Sequence, residues 1–429
     1  MVVLFERIKV QKMHTLSPQA FALSYQRYYF VTFVFLYAMQ KTSGKQVLFL
    51  TRWYPHYYDP MFGLFVERHA RAVALLHDVS VLYIHPSEQA AGSFTEVNRE
   101  AHFLELKYYY PKKGFLNKVM SPLRFLKAFF KSYNKLVAMQ GAPDVVHVNI
   151  LTRMGFLAWL LRIRYGIPYI ITEHWSRYLP RNDGYKGFFR KMVTSAVVKK
   201  ASALTTVTDN LRYAMENLGI VSRHPVTVPN VVDVDFFRPP AEKENTGKTI
   251  FIHVSCFEER SKNMSGILDA VYELHKKRDD FILYMVGEGV DLEQTIRYAE
   301  EAGIKDKVVF FTGLQQGDEL LKLMQRADAM VMFSHYENLP VVILEAFACG
   351  MPVISSEVGG IAEHLAPARG ILIPAGDKQA LVAAMETMTA TSHTYNQQAI
   401  RQYAEEHFSM PVIAAQFDKL YTEATENHV

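Results

Sequence analysis

Between Asp328 and Gly360 the chain reads DAMVMFSHYENLPVVILEAFACGMPVISSEVGG, and this order of residues restricts the backbone to few paths. The apolar run Ala329 to Phe333 reads as a buried parallel strand that stops at the polar segment 334–338. A helix is predicted from about Leu339-Pro340, where proline is tolerated because the first turn needs no amide hydrogen bond. It ends at Gly350, before a second strand from Pro352 to Ser355. The product is a strand, loop, helix and strand of an open α/β sheet. Its polar loop lies at the carboxyl end of the strand, where such sheets bind ligands.

Two carboxylates frame this unit, Glu337 in the loop and Glu345 on the helix, with seven residues between them. If most of the span is helical, they stand about 12 Å apart along the axis, too far to share a proton. Such a pair suits an extended ligand gripped at two places, while free amides at the helix start offer donors to an anion or to sugar hydroxyls. Two glutamates alone are better met by one surface side chain and one satisfied helical one.

The pattern of Glu337, seven residues and Glu345 within ENLPVVILEAFACGMPVISSEVGG resembles the donor-site signature of the retaining glycosyltransferases of family 4, which have the GT-B fold. The resemblance implies that Glu337, with Asn338, Leu339 and Pro340, contacts the transferred sugar and that Glu345 holds the ribose diol of the nucleotide. The family often carries glycine, aromatic and glycine after the first glutamate. This chain has Asn338-Leu339-Pro340 instead, a departure that bears on which sugar is taken.

A chain of 429 residues, 49% hydrophobic and 21% charged, is globular and too long for one ordinary core. The expected fold class is α/β, with two Rossmann-like doubly wound parallel-sheet domains facing across a cleft. The only cysteines, Cys256 and Cys349, both lie among apolar neighbours in sequence, which supports neither a disulfide framework nor a zinc site and suits a reducing compartment. The net charge of +4 conceals a division, from +16 over residues 1–238 to −12 over residues 239–429. One half is built to meet something anionic.

Residues 1–44 fit nothing that follows. Tyr28 to Ala38 is too short for a span of about 20 residues, so a poorly packed extension, or a start at Met39, is expected, with a membrane anchor or secretory signal as the alternatives. Residues 45–237 read as the first Rossmann-like domain, opening with the strand Gln46 to Thr51. A loop with Gly63 and a helix follow, without the GxGxxG of a dinucleotide oxidoreductase. By resemblance Gly63 faces the donor diphosphate and acceptor, and His174, after the strand ending ITE, lies beneath the donor sugar; His147 is expected to support its loop.

Lys107 to Lys135 carries eight basic and no acidic residues, interleaved with Tyr108, Tyr109, Tyr110, Phe125, Phe129, Phe130 and Tyr133. Together with Tyr185–Lys200 this stretch predicts amphipathic helices whose lysines snorkel above an apolar face on an anionic bilayer. The other reading places the aromatics in the core and the lysines in water. No nucleic-acid module is recognisable, so nucleic acid is not expected as a partner.

Residues 238–248 form a polar, proline-bearing linker, and residues 249–408 alternate strand and helix as a second parallel domain. In its first turn Lys262 precedes a helix and matches the lysine that the family sets on the diphosphate. The family's usual arginine position is Cys256, so Arg260 is expected to reach in from the loop. Gly287 ends a strand near the nucleotide, and Gly313-Leu314 match the turn that reads the base. By the same analogy residues 409–429 cross back as a helix onto the first domain.

The activity implied is a retaining hexosyltransferase of polysaccharide biosynthesis, acting without metal or other cofactor. It would move a hexose from a nucleotide diphosphate sugar such as a UDP-sugar to a lipid-linked or cell-surface glycan. The expected location is cytoplasmic, peripheral on the inner face of the membrane. The alternative is a non-catalytic nucleotide-sugar-binding subunit, motivated by the missing arginine.

Overall fold

The computed structural model describes residues 44–112, 117–180, 185–244 and 246–426, so the expectations for residues 1–43 lie outside the described residues. The first sheet contains β1 (Gln46–Thr51), β2 (Asp78–Ser87), β3 (Phe94–Glu100), β4 (Phe103–Pro111), β5 (Val145–Asn149), β6 (Tyr169–Glu173), β7 (Ala203–Thr206) and β8 (Pro225–Thr227). Their order is β3-β4-β2-β1-β5-β6-β7-β8, all parallel except β3. The second sheet, from β9 (Thr249–Val254), β10 (Phe281–Val286), β11 (Val309–Gly313), β12 (Ala329–Met332), β13 (Val353–Ser356) and β14 (Gly370–Ile373), has the order β11-β10-β9-β12-β13-β14. Both sheets reverse direction beside their first strand, between β1 and β5 and between β9 and β12. Open α/β sheets bind ligands at such switch points, outside the strands' carboxyl ends.

The apolar strands are runs rather than alternations because both of their faces are covered. On β1, Leu48 and Leu50 pack toward Phe129 and Leu157, while Val47 and Phe49 pack toward Val66 and Phe417. On β9, Ile252 joins Leu344 and Phe408, while Phe251 joins Ile267 and Met385. The helix Gln397–Phe408 belongs to the second domain's core, and the next, Met410–Glu426, lays Ile413, Phe417 and Tyr421 into that of the first. There the buried Tyr421 hydroxyl shares a 2.7 Å hydrogen bond with His147 Nδ1, whose other nitrogen meets Thr172 Oγ1 at 2.6 Å. His147 thus serves packing between helix and sheet.

Two expectations are corrected. Tyr108, Tyr109 and Tyr110 lie in β4 and are buried, as are Phe125, Phe129 and Tyr133 of the helix Asn117–Gln140. Lys127, Lys131 and Lys135 of that helix are exposed, with Lys131 Nζ 5.4 Å from the Tyr108 ring centroid. The apolar face expected on a bilayer at Lys107–Leu136 therefore covers the sheet instead, because a parallel strand beside β2 needs a helix over it. In the second basic segment the helix runs Phe188–Lys200, and there Phe188 (85%) and Phe189 (72%) are exposed. Cys256, expected among apolar neighbours, is exposed, while Cys349 is buried. Among the described residues no helix is long and apolar enough to cross a membrane.

Candidate functional site

At the carboxyl end of β9 the chain makes one short helix, Glu259–Lys262, and turns through Asn263, whose positive φ of 54° lets its side chain cap the helix Met264–His275. Lys262 is thereby fixed at the switch point, with Nζ 2.5 Å from Glu337 Oε1. Ser334 Oγ donates to the same oxygen at 2.8 Å, and the amide of His335 donates to Ser261 O at 2.8 Å. Burial opposes the charge on Lys262, but Glu337 outweighs it and raises the ammonium's proton affinity. Gly359 follows β13 with φ 60°, and a Cβ there would stand 2.3 Å from Glu337 O. Only glycine permits that approach. Three loops therefore fix one carboxylate.

The same loop reaches the other domain. Asn338 Nδ2 donates to His174 O at 2.9 Å, and Thr208 Oγ1 donates to Asn338 Oδ1 at 2.8 Å. Asn230 donates from Nδ2 to Leu339 O at 2.8 Å. Glu363 accepts from the amides of Asp209 and Asn210 at 2.9 and 2.7 Å, and Arg68 meets Glu345 at 2.7 Å. Glu345, expected to stand ready for a ribose, therefore already gives one oxygen to a cation of the facing domain.

His174 lies just beyond β6, buried, with Nε2 3.1 Å from Asn149 Oδ1 and its ring against Phe65 and His69. Burial, then the neighbouring His69 and His147, hold its proton affinity well below the ordinary imidazole value. It presents a neutral ring, suited to hydrogen bonding rather than to charge pairing. Beside it Glu173 accepts three amides, from Leu151, His174 and Trp175, at 3.0, 3.0 and 2.9 Å. Burial nevertheless pushes its carboxyl up to about 7.

The other predicted residues fall as follows. Gly63, at φ 71°, starts the helix Leu64–Val73 so close to Trp53 that a Cβ would lie 2.4 Å from its carbonyl carbon. Pro340 is the N-cap of the helix Val341–Ala348, which carries Glu345. Gly287 follows β10 against Ser255, and Gly313 ends β11 with Leu314 partly exposed after it. Arg260 is exposed and takes no part in the hydrogen bonds around Glu337. Among the described residues no group of three or more potential metal ligands is gathered. Asn149, Glu173 and Asn230 join the site from the ends of apolar strands and the crossing to the second domain, and Arg68 and Thr208 complete it; nothing in the local sequence separates Arg68 and Thr208 from surface or turn residues.

Comparisons agree with this architecture. Residues 63–231 match the glycosyl transferase 4-like domain and residues 235–407 match the glycosyl transferases group 1 family. The chain is 27% identical over 323 residues to a D-inositol 3-phosphate glycosyltransferase of Corynebacterium urealyticum, covering 69% of this chain and 75% of that one. It is 26% identical over 289 residues to a glycogen synthase of Mycobacterium tuberculosis, covering 66% and 69%. Among solved structures, sucrose-phosphate synthase from Thermosynechococcus elongatus superposes with a TM-score of 0.70 at 20% identity, over 90% of this chain and all (100%) of that one. Anabaena HepE in complex with UDP gives 0.65 at 15%, over 87% and 98%. The chain belongs to the group 1, family 4 type glycosyltransferases, nucleotide-sugar-dependent enzymes of the GT-B fold.

Proposed function

We propose that the protein is a retaining hexosyltransferase that needs no metal and takes its hexose from a nucleotide diphosphate sugar. The observation that carries this reading is the Lys262–Glu337 pair at the β9/β12 switch point, tied through Asn338 to His174. In this reading Lys262 neutralises the departing diphosphate, assisted by amides at helix starts, and these supply the charge that a divalent cation would otherwise bring. Arg260, exposed on the same short helix as Lys262, is the second cation in this reading. Glu337 and the backbone of Asn338, Leu339 and Pro340 hold the sugar, Glu345 the ribose, and Gly313-Leu314 the base.

No carboxylate is assigned as a nucleophile, so a double displacement like that of retaining glycosidases is not implied. Front-face exchange fits: the sugar–phosphate bond breaks, the acceptor oxygen bonds the anomeric carbon on the same face, and the leaving phosphate takes the acceptor proton. Turnover of UDP-, GDP- and ADP-sugars in excess EDTA, with product anomers assigned by NMR, tests this. Inverted products, or activity abolished by EDTA and restored by a divalent metal, would refute it. Tight UDP-sugar binding without turnover would favour a non-catalytic subunit.

The acceptor is read as a membrane-borne glycan on the cytoplasmic face, now through the helix Phe188–Lys200 alone. Phe188, Phe189 and Met192 are exposed beside Arg190 and Lys191, the pairing that suits an anionic interface. Flotation with anionic vesicles should be lost in the F188S/F189S variant; equal flotation of both proteins removes this part of the reading.

A further inference from the structure

At the end of the first sheet away from His174 lies a cavity of about 260 Å³ that the proposed reaction does not use. Ser202 and His224 line it and directly precede β7 and β8, so it opens at the amino ends of these parallel strands. His174 and Thr208 stand beyond the opposite ends of β6 and β7. β7 alone, about 13 Å long at about 3.3 Å per residue, separates the two regions.

Four permanent cations and one carboxylate line the cavity. Arg162 comes from the last turn of the helix Leu151–Tyr165, Lys199 and Lys200 from the last turn of Phe188–Lys200, and Arg223 from the loop before β8. The acid is Glu423, whose Oε2 lies 3.6 Å from His224 Nδ1. Lys199, Lys200 and Arg223 are exposed and have no ion pair among the described residues. A helix end is negative and favours cations in its last turn, which accounts for Arg162, Lys199 and Lys200 taken singly. Arg162 makes one such contact, donating from Nη1 to Lys200 O at 2.6 Å. Helix ends do not account for Arg223 and His224, which lie in a loop and turn to the same hollow. Like charges gathered there repel one another until an anion enters. The excess suits a multiply charged oxyanion, because a guanidinium fork takes phosphate oxygens in pairs while ammonium groups neutralise the charge. The volume is close to the lower end for small-molecule sites, about 300 Å³.

The remaining wall is the helix that crosses back from the second domain. Leu420, Glu423 and Ala424 belong to the last turns of Met410–Glu426. That helix starts beside the interdomain hydrogen bond from Val232 N to Phe408 O, at 2.9 Å. A ligand in the cavity therefore rests on its far end.

We propose that this cavity is a second ligand site, which takes a small phosphate-bearing molecule and fastens the crossing helix to the first domain. It lies outside the cleft and is independent of the reaction performed there. The phosphate belongs either to a soluble ester or to a lipid headgroup, and experiment separates the two.

Inorganic phosphate is titrated calorimetrically into the full chain at constant ionic strength, with chloride as the control anion and UDP saturating the Lys262 corner. The K262M variant is run alongside, so that phosphate held at that corner is recognised. The expected result is saturable binding in the parent protein and in K262M, weakened about tenfold or more in K199Q/R223Q, whose two substitutions are at exposed positions. Phosphate should also slow amide hydrogen exchange over residues 420–426 in the parent and not in K199Q/R223Q. In a third arm, the F188S/F189S protein is mixed with phosphatidylcholine vesicles with and without phosphatidic acid. Retention by phosphatidic acid that K199Q/R223Q lowers assigns a lipid headgroup; free phosphate bound without such retention assigns a soluble ester. No saturable binding of phosphate, equal binding by K199Q/R223Q, or binding lost in K262M instead overturns the site. Binding without slowed exchange overturns the role given to the helix.

Discussion

Arg68 of the first domain and Glu345 of the second meet at 2.7 Å across the cleft, and the carboxylate is almost fully buried. The helices that carry them come from opposite sheets, so the ion pair fastens the domains at the point assigned to the ribose. Its guanidinium also lies 5.8 Å from the Phe237 ring centroid, at the exit from the first domain.

Removing one partner leaves the other charge buried. R68Q is expected to cost about 3 kcal/mol of stability, the lower end for a buried pair because Arg68 keeps some solvent. Denaturant unfolding of R68Q, E345Q and the double variant checks this; the coupling should appear as a double variant less destabilised than the two losses summed. UDP affinity should fall in R68Q, because Arg68 orients the carboxylate that the ribose would meet.

Lys262 and Glu337 form the second buried pair. K262M is expected to lower transfer about 100- to 1000-fold, as does loss of a preorganised group facing developing charge. Single-turnover rates measured at saturating donor check it. K262R should recover only part of the rate, since a planar fork cannot take the position of a compact ammonium.

Gly359 and Gly376 both have positive φ, 60° and 78°, but only Gly359 is crowded. Alanine at either position costs about 1–2 kcal/mol for the left-handed backbone. G359A must also push the carbonyl of Glu337 aside, so it should reduce transfer at least about 100-fold. G376A, with open space around it, should leave the rate within about twofold. Comparing the two rates at matched temperature separates donor-loop geometry from backbone strain.

The Glu173 carboxyl is raised to about 7 in the fold from the ordinary carboxylate value. A raised acid binds more protons folded than unfolded between those values. Its contribution to stability is therefore complete below about pH 4.5 and is lost as pH rises through about 7, amounting to about 3 kcal/mol. The buried His69 and His174 act oppositely, since their lowered values make the fold less stable as pH falls. E173Q should remove the Glu173 component alone. The difference in unfolding free energy between E173Q and the parent protein, measured from pH 4.5 to 8, should change by that amount.

Much of the donor half was legible in one stretch of sequence. The strand ending at Met332, the loop with Glu337 and the helix with Glu345 follow from apolar runs, one proline and one glycine, because each is a local choice. The first domain was misread where burial decides. The tyrosines of β4 and the phenylalanines of the next helix share their composition with a membrane-seeking segment, and only the sheet beside them shows which face is covered.

What the sequence by itself determined is the alternation of strands and helices, the position of the loop that carries Glu337, and the division of charge between the two halves. These depend on neighbours within a few residues or on simple counts. Only the tertiary structure decided that Arg68 meets Glu345, that Asn338 reaches His174, and that Arg52 and Arg177 meet on the Trp175 ring. Those partners are separated along the chain by loops and whole domains, and strand order, which no local pattern encodes, brings them within a few ångströms.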